Sequence, residues 1–198
     1  YFSVTRSADY VILDSQYKWE NKTDGVPMAL GIFNARGNPA GDLTAHEGSE
    51  VVVSGVGFSY GTGDPALRPT DLTIAPGSFY TLLGPSGSGK TTLLRIVAGL
   101  LQPTSGQIFV NGRDVTTTPV QKRNVGFVFQ QYALFPHMSV EANIAYPLKV
   151  RGWGREAQRR RVDEVLELIR LTALRARKPG ELSGGQQQRV AIGRALVY

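Results

Sequence analysis

In this 198-residue chain, the stretch Gly84-Pro85-Ser86-Gly87-Ser88-Gly89-Lys90-Thr91 is where residue type and spacing most directly specify chemistry. It matches G-x-x-x-x-G-K-[ST] and lies between an apolar run, Phe79 to Leu83, that reads as a buried strand and a run from Lys90 to Leu101 with helical character. Glycines allow successive backbone N–H groups to turn inward around phosphate oxygens, and the start of the following helix adds its partial positive charge. In such a loop Lys90 reaches the β- and γ-phosphates, Thr91 offers a hydroxyl to Mg²⁺, and Thr92 follows in the same helical turn. The competing reading is a glycine-rich turn before an ordinary helix. At an average glycine usage of about 7%, a chance match in this length is on the order of one in a hundred, and the strand and helix lower it further.

A second constellation stands at Leu182-Ser183-Gly184-Gly185-Gln186, ahead of a helical stretch from Gln186 to Leu196. A serine cap and two glycines expose N–H groups that can meet a phosphate, although the same residues also make a plain helix cap with a hinge. Gln130, after the predicted strand Val125 to Phe129, reads unaided as a polar strand end, and Tyr60, in Phe58-Ser59-Tyr60-Gly61, reads as a packing residue.

The elements that must position these residues follow from the pattern of the chain. Val51-Val52-Val53 and Leu72-Thr73-Ile74 read as strands joined to the apolar run at Phe79 through the turn Ala75-Pro76-Gly77. Pro103 to Gly106 stops the first helix, and Gln107 to Val110 with Asn111-Gly112 reads as a strand entering a hairpin turn. Beyond Pro147 the texture turns helical: Val162, Val165, Leu166 and Ile169 fall at i, i+3, i+4 and i+7. Residues 1 to 48 show no sustained period, and no function is assigned to them. Their Asn21-Lys22-Thr23 sequon is read as a chance match.

Taken together, the two glycine motifs in this order resemble the P-loop and signature motif of ATP-binding cassette (ABC) ATPases, over essentially all of residues 49 to 198. The resemblance implies an α/β P-loop cassette with a helical subdomain at about residues 131–185. It implies Gly84, Pro85, Ser86, Gly87, Ser88, Gly89, Lys90, Thr91 and Thr92 around ATP, Thr91 and Gln130 on Mg²⁺, and Lys90 and Gln130 as catalytic residues. It also implies Tyr60 stacked on adenine, and Ser183, Gly184, Gly185 and Gln186 against the nucleotide of a second, head-to-tail ABC ATPase subunit. His137 is expected to be structural. Gln131 to Leu148 most resembles import ATPases for polyamines, ferric iron, sulfate or sugars, in which this region lies near the coupling helices of permease transmembrane subunits. The implied place is peripheral, on the cytoplasmic face of the membrane.

The chain departs from that pattern at Tyr198, before the Walker B aspartate, the catalytic glutamate and the switch histidine, and no acidic strand elsewhere is expected to substitute. Hydrolysis by this chain is therefore doubtful on the sequence, and the alternative is a non-hydrolysing nucleotide-binding module or fragment. A further expectation is poor stability, with the P-loop strand left at an unpaired apolar edge. Tyr1 in place of methionine fits a fragment, a processed product or a fusion.

Composition narrows the remaining classes. With no cysteine there is no disulfide framework, thiolate zinc site or Cys nucleophile, and two histidines leave little for a metal cage. No apolar run reaches the length of a membrane span. The net charge of +6 divides into −2 over residues 1–48 and +8 over the rest, with nine bases against four acids from Arg151 to Lys178. Of three readings for Arg155 to Arg161, a solvated amphipathic helix outranks an anionic lipid contact and a nucleic-acid patch, because Glu156, Asp163, Glu164 and Glu167 are interleaved. No nucleic-acid partner is expected.

Overall fold

The computed structural model describes residues 10–13, 30–33, 49–76, 78–123 and 125–197, and the Asn21 sequon lies outside them. The strands are β1 (Tyr10–Leu13), β2 (Leu30–Phe33), β3 (Val51–Phe58), β4 (Leu67–Ile74) and β5 (Phe79–Leu82). Helix α1 (Lys90–Ala98) follows the glycine loop, then the hairpin β6 (Ser105–Val110) and β7 (Arg113–Asp114), and β8 (Val125–Val128). Three helices complete the described chain: α2 (Val140–Val150), α3 (Arg155–Leu168) and α4 (Gly184–Leu196).

Two sheets form. The first is antiparallel, in the order β4-β3-β6-β7, and the second is mixed, in the order β5-β2-β1-β8. Valines at 51, 53 and 56 of β3 are buried, and they pack with Leu93, Leu94, Ile96 and Val97 of α1 in one core that reaches the second sheet through Leu82, Val125 and Phe127. Because α1 is apolar along the face it turns to both sheets, burial there fixes the direction in which the glycine loop opens. A second core gathers Val140, Ile144 and Leu148 of α2 with the Val162-Val165-Leu166-Ile169 stripe around α3 and Val190 of α4. Val128 meets Ala191, Ala195 and Leu196 and so joins β8 to α4.

Several expectations are corrected. The first 48 residues supply two strands: β2 runs antiparallel to β5, from Leu30 opposite Leu82 to Phe33 opposite Phe79, and β1 runs parallel to β8. The P-loop strand β5 is therefore paired with β2 along one side, while among the described strands its other side, at the end of the sheet, has no strand partner. An apolar strand does lie beside β8, and Asp14 follows it in sequence, although Asp14 itself is outside the described residues. Helix α2 begins well before Pro147 and contains it. Ser139 accepts the Ala142 N–H at 3.1 Å as its cap. The strand before the glycine loop is less buried than its composition suggests, with Tyr80 37% and Leu83 67% exposed.

Arg123 holds the far end of α1. Its buried guanidinium donates to the Ile96 and Val97 carbonyls at 2.7 and 2.9 Å, and to Thr118 O and Thr116 O at 2.8 and 2.7 Å. A cation at a helix C-terminus also favours the dipole. Arg123→Ala is expected to lower stability by about 3 kcal/mol, since several buried carbonyls lose a charged donor. Urea unfolding checks this. Arg123→Lys should restore less than half, because an ammonium cannot span carbonyls set for a planar fork.

Candidate functional site

The glycine loop is built by β5 on one side and α1 on the other. Pro85, Ser86, Gly87 and Ser88 are exposed, whereas Lys90 is 8% exposed. The Lys90 ammonium donates to Gly84 O at 2.8 Å, Pro85 O at 2.5 Å and Ser88 Oγ at 2.8 Å, so it lies across the mouth of the loop. Gly84 has φ +156°, and a Cβ there would sit 3.1 Å from Ser88 Oγ and 3.9 Å from Lys90 Nζ. The space facing the ammonium is thus kept open by the missing side chain, and a phosphate fits the donor set around it. Gly89 has φ +86°, and a Cβ would meet Ala66 O at 2.8 Å; this close approach pins the start of α1 to the start of β4. No side chain caps α1, so its first-turn N–H groups face the loop without an intrahelical acceptor. Thr91 and Thr92 are half-buried in that turn.

Tyr60 lies in the loop between β3 and β4, whose end at Ala66 touches Gly89. Its ring is 76% exposed and stands edge-on to the buried Phe58 ring at 4.7 Å and 87°. A packing residue would be covered; this ring is supported from beneath and presents a face to solvent.

Gln130 is exposed just past β8. The loop after it turns through Tyr132 and Ala133, both at positive φ (60° and 47°). Arg194 of α4 donates to the Ala133 and Tyr132 carbonyls at 2.7 and 3.0 Å, and its guanidinium lies 5.5 Å from the Phe135 ring centre. The buried Asn143 accepts the Phe135 N–H at 2.8 Å and donates to Phe135 O at 3.1 Å. Neither Arg194 nor Asn143 was singled out by the sequence; a carboxamide inside an apolar helical stripe was the available signal for the second. His137 is exposed, with its ring 6.3 Å from that of Phe135. Among the described residues no group of three His, Cys, Asp or Glu is placed to hold a metal ion.

At the second motif Ser183 Oγ accepts the Gln186 N–H at 3.3 Å while Gln186 Oε1 accepts the Ser183 N–H at 2.8 Å, a reciprocal cap. The Ser183 hydroxyl proton remains available to an outside acceptor. Gly184 and Gly185 are exposed with open space where a Cβ would stand. The approach to this start is held by Glu181, whose carboxylate accepts the Lys178 N–H at 2.7 Å and an Arg177 N–H at 3.0 Å. The Lys178 amide first, then Arg177, hold that carboxyl below the ordinary glutamate range. The tie is complete above that ordinary range and is lost only as pH falls through the lowered value. The structure places Lys90 and Ser183 in different cores: α1 packs on β3 and β4, whereas α4 packs on α2, α3 and β8.

A lysine-spanned glycine loop at a strand–helix junction, on an α/β core with a helical cluster beside it, defines a P-loop nucleotide-binding domain. The chain belongs to the ABC transporter family, whose model matches residues 67–198. It is 54% identical over 147 residues to the sulfate/thiosulfate import ATP-binding protein CysA of Synechococcus elongatus, covering 74% of this chain and 42% of that protein. It is 58% identical over 127 residues to the Fe(3+) ions import ATP-binding protein FbpC 1 of Haemophilus influenzae, covering 64% of this chain and 39% of that protein. The chain thus spans about two fifths of the length of these relatives. A solved dimeric structure of the ATP-binding cassette MJ0796, in a post-hydrolysis state bound to ADP and Pi, is similar with a TM-score of 0.62 and 33% identity, over 74% of this chain and 69% of that one.

Proposed function

We propose that the chain is the ATP-binding part of an ABC importer, coupling ATP binding and hydrolysis to solute uptake through permease transmembrane subunits at the cytoplasmic face of the membrane. The observation that carries this is the Lys90-spanned loop on one core together with the capped, glycine-flanked helix start at Ser183 on another. ATP is held by residues 84–92, with Tyr60 against the adenine. Thr91 and Gln130 supply neutral oxygen ligands for Mg²⁺, which takes most of its shell from phosphate and water. Lys90 offsets charge on the β- and γ-phosphates, which bound Mg²⁺ neutralises further. Because Ser183 to Gln186 point from a separate core, they serve the nucleotide of a second cassette, as the names of the dimeric neighbours support. An open groove of about 450 Å³ lined by Met138, Ala142, Ala145, Tyr146, Lys149 and Val150 is the proposed seat of a permease segment. It lies on α2, just beyond the loop that carries Gln130.

MgATP-dependent dimerisation, followed by light scattering, tests the reading. Wild type should dimerise. Ser183→Arg should bind nucleotide but stay monomeric. Binding with neither dimer nor phosphate release would favour the non-hydrolysing module instead, and no binding would overturn both. Tyr60→Ala should weaken ATP and AMP alike by about 1–3 kcal/mol in calorimetric titration, the value of one stacked base. A loss confined to ATP would move Tyr60 to the phosphate end.

A further inference from the structure

The turn between α2 and α3 carries two features that the solvated reading of the basic run does not absorb. Val150 is 68% and Trp153 is 40% exposed, and around them stand the exposed bases Lys149, Arg155, Arg159 and Arg160. The tip is held in one shape: the Trp153 N–H donates to Leu148 O at 3.1 Å, and its carbonyl accepts from Gln158 Nε2 at 2.6 Å.

The structure also sorts the charges that alternate in sequence. Arg161 turns inward and donates to the Val197 and Leu196 carbonyls at 3.0 and 3.1 Å, with Glu164 on its Nη1 at 2.8 Å. Asp163 and Glu141 both bind Arg175, at 3.0 and 2.6 Å. Glu167 lies two turns further along α3. In the first two turns of α3 Glu156 is the single acid, three and four residues before Arg159 and Arg160. Three arginines at the positive end of a helix are unfavourable for the helix itself, so their shared field faces outward and suits an anionic surface.

We propose that this tip, Lys149 to Arg160, is a contact for anionic phospholipid headgroups, with Trp153 and Val150 entering the interface and the bases on the phosphates. An indole has the amphipathic form that settles at a membrane interface, and several bases beside it supply the electrostatic part. Neither element suffices alone; a rigid apolar tip ringed by bases joins the two signals that reversible attachment needs. The exposed bases are complementary in charge to lipid phosphate. A nucleic acid would engage the same charges, yet it gives Val150 no apolar layer to enter. The contact shares Lys149 and Val150 with the end of the groove on α2, so a permease segment seated there would leave Trp153 and the arginines to the lipid.

The test uses the full chain carrying Trp19→Phe, so that Trp153 alone reports, with phosphatidylcholine vesicles that contain or lack about one third phosphatidylglycerol. Expected are co-sedimentation and a blue-shifted Trp153 emission with the anionic vesicles only, both reversed by salt. Arg155→Glu with Arg159→Glu and Arg160→Glu should reduce partitioning at least about tenfold, and Trp153→Ala, scored by sedimentation, about fivefold. Circular dichroism of these surface variants should match wild type. Equal binding to neutral vesicles, no emission shift, or an emission shift produced by single-stranded nucleic acid and not by vesicles would each overturn the proposal. Lys90→Ala should partition as wild type does, which keeps a failure here distinct from a failure of the nucleotide reading.

Discussion

Replacing Lys90 with alanine is expected to lower affinity for ATP about a hundredfold or more while leaving AMP within about threefold. The geometry explains the asymmetry. The ammonium is drawn over the loop mouth by Gly84 O, Pro85 O and Ser88 Oγ, and on the proposed reading it would meet the outer phosphates of a triphosphate and nothing of a monophosphate. A charged hydrogen bond is worth about 1.5–3 kcal/mol, and a hundredfold loss corresponds to about 2.7 kcal/mol. Stability should change less than affinity, since the acceptors released belong to a loop whose Pro85 and Ser88 already face water. Calorimetric titration with ATP, ADP and AMP checks the prediction. Equal loss for all three would place Lys90 away from the phosphates, and loss of folding by circular dichroism would give it a structural part instead. Ser88→Ala serves as the companion variant: it removes one of the three acceptors that aim the ammonium without removing the charge, and a weaker ATP-selective loss is expected.

What could be read directly from the residues was whatever local chemistry determines. The glycine loop was legible because backbone access to phosphate needs those residue types at that spacing, and the stripe at Val162, Val165, Leu166 and Ile169 because one buried helix face repeats at 3.6 residues. The Ser183 cap was legible for the same reason: a serine three residues before a helical run that opens with glutamine has few other uses. Helix α2 was obscured by Pro147, which usually breaks a helix interior. Here it falls in the last turn and a half before Val150, where Ser139 and the buried Asn143 already fix the opposite end. Arg123 gave no signal in the sequence because burial of a guanidinium follows from four carbonyls brought together by the fold. Charge sorting on α3 was likewise hidden: the interleaved acids argued for a solvated amphipathic helix, and nothing local shows that Arg175 and Arg161 engage Glu141, Asp163 and Glu164. Strands β1 and β2 were missed for a further reason. Each has only four residues, and their partners, β8 and β5, lie more than forty-five residues along the chain, so nothing in a local window marks them.

Those two strands carry the second large expected effect. Deleting residues 1–48 should destabilise the chain by about 5 kcal/mol or more, against a total of about 5–15 kcal/mol for a domain. In the mixed sheet β2 pairs with β5 over four residues, and β1 pairs with β8 over four. Both ladders are lost together, which exposes the strand that leads into the glycine loop and the strand that leads to Gln130. At about 0.5–1.5 kcal/mol for each hydrogen bond, eight residue pairs account for an effect of this size before any apolar area is counted. The exposed edges also become templates for pairing with other chains, so aggregation at low protein concentration is part of the expected result. A point substitution separates the ladder from the rest of the extension. Ile12 sits inside β1 opposite Ile32 on one side and Phe127 on the other, and proline there removes an N–H from a strand flanked on both sides. Ile12→Pro should therefore reproduce a large part of the deletion, roughly 3 kcal/mol in urea unfolding, and should weaken ATP binding through β5 and β8 without touching a ligand residue. If the deletion and Ile12→Pro both unfold at the wild-type midpoint, β5 and β8 must reach each other, or another partner, without β1 and β2, and the sheet order β5-β2-β1-β8 would have to be abandoned.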